Sequence, residues 1–358
     1  MQREIRISRE LIHGRGAQIN PNNPFENRVK STDVDEVWMD EELPITKTRI
    51  VDTFPKTIVN KVVSPDTGME YSLNPYQGCE HGCVYCYARN THTYWGYSSG
   101  TDFETTILAK RNAAELLEKK ITSKSWRVYP IMLSGNTDCY QPVEKDLQLT
   151  RQLLEVFLKY KHPVGIVTKN TLILRDLDLL KELNRYGLVS VAISVNTLDD
   201  KLRRKLEPRA SSIHKRLDLI NRLSNAGIPV TVLAAPIIPG LNDHDIFNLV
   251  KKAAKLGARR ISHIVLRLNG DLPEIFSDWL DKSYPDRAKK VLNKIAEMHK
   301  GQLGNSVYGE RMRGTGVIAE MIDQQFKMAK RLYLLDNPPF QYNTSLFDKK
   351  QSAQMKLF

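Results

Sequence analysis

The sequence predicts an α/β fold, a partial (β/α)6 TIM-type barrel with an irregular N-terminal extension and a C-terminal helical cap. Two observations support this prediction. First, six short apolar segments alternate with longer segments of helical periodicity, which is typical of βα units around a parallel sheet. Eight such units would close a barrel, whereas six leave it open. Second, 358 residues suffice for one large domain with additions or for two domains.

The predicted strands and helices follow one another in a regular order. The first strand runs into a cysteine-rich loop, which therefore lies at the carboxyl end of the sheet, where parallel βα folds bind ligands. The predicted strands are 72–76, 128–134, 164–168, 189–195, 230–235 and 261–266, and the predicted helices between them are 104–121, 144–160, 174–186, 211–225 and 245–256.

The segments around the barrel differ from it in composition. Residues 1–60 are polar and rich in turn-forming Gly, Pro and Asn, so we expect an extension that packs across the core. The barrel core is assigned to residues 61–270. Helical periodicity resumes over 272–284, 285–300 and 317–333, which predicts a helical cap within 271–335 and leaves 336–358 as a flexible tail.

Composition and charge narrow the class of protein. No apolar run approaches the roughly 20 residues of a membrane span, and the charged N-terminus is unlike a signal peptide. We therefore expect a cytoplasmic protein without a membrane partner. The net charge of +12 fits either a basic enzyme with solvated lysines or a polyanion partner such as nucleic acid.

Three of the four cysteines, Cys79, Cys83 and Cys86, lie within eight residues with the spacing C-x3-C-x2-C. Clustered thiolates suit a soft metal ion or an iron–sulfur cluster. A closed zinc site needs four ligands, and no C-x2-C or H-x3-H pair follows to complete one. Three thiolates on a [4Fe–4S] cluster would leave one iron open for a small molecule. A structural metal site and buried free thiols are the alternatives.

An aromatic residue, Tyr85, directly precedes the third cysteine, and this motif resembles the signature of the radical S-adenosylmethionine (radical SAM) superfamily. From Asn74 to Arg89 the sequence resembles the branch related to spore photoproduct lyase, called DNA repair photolyase-like, and this likeness extends from about Gly14 to Arg313. The resemblance implies a [4Fe–4S] cluster and SAM as cofactors. It also implies reductive cleavage of SAM to a 5′-deoxyadenosyl radical that abstracts hydrogen from a substrate.

The resemblance further implies SAM-binding residues at the strand ends. Thr137 and Asp138 stand where the superfamily often has a Gly-Gly-Glu-like motif that holds the SAM amine; alternatively, they form an Asx-type turn. Lys169 matches a lysine that contacts the SAM carboxylate in spore photoproduct lyases, and the alternative is a surface lysine.

Two further strands, the fourth and the fifth, are followed by candidates for SAM binding. Ser194 and Asn196 are assigned to the ribose hydroxyls, or else they are ordinary strand-end residues. Arg209 is suited to bidentate hydrogen bonding with the SAM carboxylate. Ile238 lies in a stretch that resembles the adenine-contacting segment of the superfamily, with a plain Pro–Gly turn as the alternative.

Tyr85, Tyr87 and Cys139 are catalytic candidates, because spore photoproduct lyases use tyrosines and a cysteine to return a hydrogen atom to the product radical. The alternatives are packing around the cluster for the tyrosines and a semi-buried thiol for Cys139. We therefore expect a radical SAM enzyme, lyase-like or DNA-repair-like, that acts on a nucleic-acid lesion. Radical chemistry on a small molecule or peptide, and a non-catalytic iron–sulfur protein that binds nucleic acid, remain open.

The sequence also predicts two protein partners and contains one motif to which we assign no role. An electron donor such as flavodoxin or ferredoxin would reduce the cluster. The last five residues, from Gln354 to Phe358, read Gln-x-x-Leu-Phe and resemble the peptide by which bacterial repair proteins bind the DNA sliding clamp; alternatively, they pack on the protein itself. The stretch from Gly14 to Ala17 resembles an N-terminal motif of the branch, with a plain turn as its alternative.

Overall fold

The computed structural model describes residue 12 and residues 14–25, 47–334 and 339–349. In this part of the chain the strands are β1 (Arg49–Thr53), β2 (Val59–Lys61), β3 (Tyr71–Leu73), β4 (Tyr76–Gln77), β5 (Thr106–Lys110), β6 (Ile131–Leu133), β7 (Val164–Thr168), β8 (Val189–Ser194), β9 (Val230–Ile237) and β10 (Arg260–Val265). The helices are α1 (Asp102–Thr105), α2 (Ala113–Ile121), α3 (Glu144–Leu147), α4 (Leu149–Lys159), α5 (Leu177–Arg185), α6 (Asp200–Leu206), α7 (Ile213–Asn225), α8 (Ile246–Lys255), α9 (Leu272–Ser283), α10 (Pro285–Met298) and α11 (Gly316–Tyr333).

The main sheet has seven strands in the order β10-β9-β8-β7-β6-β3-β2. Six of them, β3 and β6 to β10, are parallel neighbours, and β2 pairs antiparallel with β3. These six correspond to the six apolar segments of the sequence. The predicted partial (β/α)6 barrel is therefore confirmed, and within the described residues β10 and β2 remain its open edges.

One predicted helix, 104–121, is wrong over part of its length. Residues Thr106–Lys110 form β5, which pairs parallel with β1 and antiparallel with β4 in a second, three-stranded sheet. Thr106 and Ile107 are β-branched and suit a strand, and the partner strands are distant in sequence or too short to be recognised. The predicted helix 144–160 is also interrupted, because Gln148 adopts a positive φ of 52° between α3 and α4.

Two apolar clusters organise the interior. The larger one lies along β6 to β10 and the helices that pack on them. The second lies at the carboxyl ends of the strands, where Val84 of the cysteine loop packs with residues that follow β9 and β10 and with helices α9 and α10; among these residues are Ile238, Leu266, Leu268, Phe276, Trp279 and Val291. Helices α9 and α10 thus cover this end of the barrel, whereas α11 packs mainly on α8.

Residues 339–349, within the segment expected to be a flexible tail, lie against the opposite end of the sheet. The main-chain amide of Asn343 donates to the carbonyl of Gly187 at 2.9 Å, and the hydroxyls of Tyr342 and Ser190 are 2.6 Å apart. The expected clamp-binding peptide, from Gln354 to Phe358, lies outside the described residues. No helix in the described ranges is both long and apolar enough to span a bilayer.

Candidate active site

The cysteine loop, residues 78–86, follows β3 and β4 at the carboxyl end of the main sheet. Main-chain hydrogen bonds fix it from two sides, since the Cys79 amide donates to the Phe103 carbonyl at 2.8 Å and the Val84 amide donates to the Leu206 carbonyl at 3.1 Å. All three of its cysteines are free thiols; Cys79 and Cys83 are buried, and Cys86 is half-buried. The fold therefore presents three thiols on one well-anchored loop.

The N-terminal motif packs directly on this loop. The Glu104 carboxylate accepts hydrogen bonds from the main-chain amides of Gly16, at 3.0 Å, and Ala17, at 2.8 Å. It also forms a buried ion pair with Arg89. A Cβ on Gly16 would lie 1.7 Å from the carbonyl oxygen of Gly82, so only glycine fits this contact. The motif therefore supports the cysteine loop rather than forming an isolated turn.

The thiols of the loop suit iron coordination. Burial raises the pKa of Cys79, and it raises the pKa of Cys83 to about 12. Buried thiols become thiolates when a bound cation compensates the charge. In the described part of the chain, no three His, Cys, Asp or Glu side chains converge closely enough to hold a single metal ion. A [4Fe–4S] cluster takes one thiolate per iron, and this donor set fits it.

Lys169, at the end of β7, places a positive charge beside the loop. Burial opposes that charge, but the nearby Cys83, Glu207, Asp138 and Cys86 outweigh burial and raise the pKa of Lys169. Its ammonium group therefore remains charged next to the thiols. This position suits an anionic ligand bound at the loop.

Asp138 forms a hydrogen-bonded network that joins the loop to β7. Its Oδ1 accepts from Thr168 Oγ1 at 2.8 Å, its Oδ2 accepts from the Lys169 amide at 3.0 Å, and the same Oδ2 lies 3.3 Å from His81 Nδ1. Burial disfavours the ionised carboxyl, yet His81 and Lys169 lower the pKa of Asp138 overall. These partners occupy the carboxylate that the sequence analysis assigned to the SAM amine.

The side chains of Thr137 and Arg209 also have partners within the protein, a hydrogen bond for Thr137 and an ion pair for Arg209. Thr137 Oγ1 donates to the Tyr76 carbonyl at 2.7 Å. Arg209 Nη2 lies 3.1 Å from Glu80 Oε1, and the Arg209 amide donates to the His81 carbonyl at 3.3 Å. Arg209 therefore holds the cysteine loop through Glu80, and its expected contact with the SAM carboxylate stays a prediction. The partner of Arg209 could not be identified from the sequence, because the two residues are far apart in the chain.

Asn196, after β8, is the strongest indication of a ligand in this region. It is 1% exposed, and neither its Oδ1 nor its Nδ2 has a hydrogen-bond partner. Leaving buried polar groups unpaired costs about 1–3 kcal/mol each, so such groups usually meet a ligand, an ion or water. Ser194 lies half-buried two residues earlier, at the end of the same strand.

The turns after β8 and β9 are tied together by Asn242, a residue that the sequence analysis did not single out. Its Oδ1 accepts from the Ile238 amide at 2.6 Å, and its Nδ2 donates to the Asn196 carbonyl at 2.7 Å. Ile238 itself is fully buried in the apolar cluster at the carboxyl ends of the strands. Asn242 thus sets the relative position of the two segments predicted to contact ribose and adenine.

The structure brings both tyrosine candidates to the cysteine loop. The Tyr85 hydroxyl donates to Glu207, which also forms a buried ion pair with Arg216. Tyr87 is 51% exposed, and its hydroxyl donates to the Gly135 carbonyl. Glu207 was not predicted as a site residue, although it lies only two positions before Arg209 in the same loop.

Cys139, the third catalytic candidate, lies in the protein core and not on the cysteine loop. Its side chain is fully buried in the larger apolar cluster, and its carbonyl accepts from Thr150 Oγ1 at 2.6 Å. Burial raises the pKa of its thiol well above the usual value. This is the environment of a structural thiol, the alternative considered for this residue.

Residues 73–253 match the family model of the Radical SAM superfamily, and the chain belongs to this superfamily. Members use a [4Fe–4S] cluster and SAM, and the three thiols of the cysteine loop fit that requirement. An uncharacterized protein of Mycobacterium tuberculosis is 35% identical over 234 residues, which cover 64% of this chain and 69% of that protein. An uncharacterized protein of Methanocaldococcus jannaschii is 30% identical over 253 residues, 70% of this chain and 90% of that one.

Two further comparisons involve named proteins. The radical SAM Nalpha-GlyT isomerase of Pseudomonas phage M6 is 28% identical over 230 residues, which cover 63% of this chain and 46% of the isomerase. Among solved structures, a spore photoproduct lyase mutant with bound AdoMet and dinucleoside spore photoproduct has a TM-score of 0.56 at 18% identity, covering 83% of this chain and 84% of that one. At this identity the likeness shows a shared fold.

Proposed function

We propose that the protein is a radical SAM enzyme that acts on a lesion or modification in nucleic acid. The observation that carries the enzyme class is the location of three loop thiols, a charged lysine and an unpaired buried amide at the same end of the sheet. The net charge of +12 and the fold shared with a lyase that was solved with a dinucleoside photoproduct support a nucleic-acid substrate.

In this proposal Cys79, Cys83 and Cys86 each bind one iron of the cluster, and the fourth iron is left for SAM. When bound, the cluster supplies the electron that cleaves SAM to a 5′-deoxyadenosyl radical. Two of the three cysteines are buried, so the loop limits the access of water to the thiols. An external donor such as flavodoxin or ferredoxin would deliver the electron.

SAM itself would be held by residues at the strand ends. Lys169 offers a positive charge to its carboxylate, and the unpaired amide of Asn196 can both accept from and donate to the ribose hydroxyls. Ser194 lies beside Asn196, and the segment around Ile238, whose own side chain is buried, would border adenine. Asp138 and Arg209 act as positioning residues of the cysteine loop through His81 and Glu80, and Thr137 holds β4, which leads into that loop.

Tyr87 is the candidate to return a hydrogen atom to a product radical. It directly follows the third cysteine and is half-exposed, so a substrate at the barrel mouth can reach it. Tyr85 is tied to Glu207 and Cys139 lies in the core. We therefore assign packing roles to these two residues.

The enzyme class is tested by SAM cleavage. Protein reconstituted with iron and sulfide without oxygen, and then reduced, should release 5′-deoxyadenosine, and DNA that carries the correct lesion should change the rate. A bound cluster without any 5′-deoxyadenosine would instead indicate a non-catalytic iron–sulfur protein. Cleavage together with no salt-dependent affinity for DNA would favour a small-molecule or peptide substrate.

A further inference from the structure

Arg267 lies at the carboxyl end of the sixth parallel strand and has no role in the site described above. Its neighbours Leu266 and Leu268 are buried in the apolar cluster beneath α9 and α10, whereas Arg267 itself is only half-buried. Its Nη1 is buried and has no hydrogen-bond partner among the described residues. An unpaired guanidinium nitrogen at the ligand-binding end of the sheet indicates a binding group.

The charges around Arg267 leave an excess of positive charge. The Val265 amide donates to the Met312 carbonyl at 3.0 Å, which brings Arg311 to this strand end. Burial lowers the pKa of Arg267, and the positive charge of Arg311 lowers it further. The nearby carboxylate, Asp66, is already paired with Arg311 through a contact of 2.6 Å between Nε and Oδ2, and it also accepts from the Gly309 amide at 2.8 Å. Two guanidinium groups therefore share one carboxylate, which leaves an excess of positive charge at this place among the residues that the structure describes.

Arg267 also adjoins the candidate reaction centre. The segment that carries Arg267 lies against the turn that follows the third cysteine, because Asn90 Nδ2 donates to the Asn269 carbonyl at 2.8 Å and Asn90 Oδ1 accepts from the Asp271 amide at 3.2 Å. Two half-exposed aromatic rings border the region: Tyr87 is 51% exposed, and Tyr308, beneath the guanidinium of Arg311, is 53% exposed. Exposed tyrosine rings beside free positive charge suit the stacking of bases next to a phosphate.

We propose that Arg267 binds a backbone phosphate of the nucleic-acid substrate and so places a neighbouring base at Tyr87. This assignment rests on the proposed function and names the substrate-facing wall of the same site. A guanidinium donates two parallel hydrogen bonds to a phosphate, which gives orientation as well as affinity.

The test is binding of a fluorescently labelled thymidine oligonucleotide of about ten nucleotides, measured by anisotropy over a range of salt concentrations. Arg267→Gln should weaken binding about ten- to a hundredfold and reduce the slope of log affinity against log salt by about one. Arg267→Lys should keep most of the slope, because it keeps the charge, but lose part of the affinity. The matched control is Arg222→Gln on the exposed side of α7.

The outcomes separate this assignment from the proposed function. Equal binding by the wild-type protein and Arg267→Gln, or equal losses in Arg267→Gln and Arg222→Gln, would overturn the assignment of Arg267 alone. No salt-dependent binding by the wild-type protein would overturn both the nucleic-acid substrate and Arg267 as its phosphate ligand. Thermal unfolding and iron content confirm that each variant is folded. If Arg267→Gln does not fold, an affinity of Arg267→Lys equal to that of the wild type would overturn the assignment.

Discussion

At the scale of single residues, the cysteines of the loop and Cys139 differ in their surroundings. Cys83 lies on the cysteine loop beside the charged Lys169, whereas Cys139 lies in the larger apolar cluster. A thiol near compensating positive charge is suited to metal binding, and a thiol in an apolar core is not. The two residues should therefore respond differently to the same substitution.

We expect Cys83→Ala to lose the near-visible iron–sulfur absorption and SAM cleavage, because only two loop thiols would remain. Cys139→Ala should keep both the absorption and an iron content of about four per chain, although the cavity left by its buried side chain lowers thermal stability slightly. Iron analysis and absorption after anaerobic reconstitution provide the measurement. Loss of iron from Cys139→Ala, or full retention of iron by Cys83→Ala, would show that the ligands are assigned incorrectly.

Asn196 gives a prediction in which stability and binding change in opposite directions. Its amide is buried and unpaired, so Asn196→Ala should leave the protein without SAM as stable as the wild type, or more stable. The same variant should bind SAM about ten- to a hundredfold more weakly, because hydrogen bonds to the ligand are lost. Lys169→Ala should also weaken SAM binding, with the exposed Lys181→Ala as the control.

Thermal unfolding without SAM and equilibrium dialysis with SAM measure the two effects separately. A marked loss of stability in the ligand-free Asn196→Ala protein would mean that the amide has a partner within the fold. Unchanged SAM affinity in Asn196→Ala and in Lys169→Ala would remove both residues from the SAM site.

At the scale of elements, the cysteine loop depends on segments that are remote in sequence. The motif from Gly14 to Ala17 rests on the loop through Glu104, and the end of α6 holds it through the Leu206 carbonyl. From these contacts we expect a short turn in the N-terminal extension to support the reaction centre. They also place part of the extension within the barrel structure.

The two glycines of the motif allow a matched comparison. Gly16→Ala would put a Cβ 1.7 Å from the Gly82 carbonyl oxygen, whereas Gly14→Ala meets nothing within 4 Å and is disfavoured only by its φ of +74°. Gly14→Ala should therefore cost about 1–2 kcal/mol of unfolding free energy, and Gly16→Ala should cost more and also reduce cluster retention. Urea unfolding and iron content measure these effects. Equal effects of the two changes would argue against a supporting role for the motif.

At the scale of the whole molecule, the sequence was informative where structure is local and repetitive. The six parallel strands were recognisable because each is a short apolar run followed by a helical period, and the loop after the first strand set the position of Cys79, Cys83 and Cys86. Strand β5 was missed because its partners, β1 and β4, are distant or very short. Pairing across a sheet depends on tertiary contacts that local patterns do not contain.

For the predicted SAM site, too, the sequence indicated where residues lie but not which distant residues they contact. Lys169 and Asn196 are at the mouth because a residue at a strand end must lie there in a parallel sheet. The partners of Asp138 and Arg209 could not be foreseen, since each bond joins a strand-end loop to the separate cysteine loop. Arg267 had no motif to mark it, and only its unpaired nitrogen in the folded protein draws attention to it.

The central claim is that three thiols of one loop hold a [4Fe–4S] cluster whose fourth iron is open to SAM. The most direct measurement is electron paramagnetic resonance of the reduced, anaerobically reconstituted protein, recorded with and without SAM. The account predicts a reduced-cluster signal whose g values shift when SAM is added, because SAM occupies the open iron. A reduced cluster whose spectrum stays the same at saturating SAM, or protein that retains no cluster after reconstitution, would contradict it.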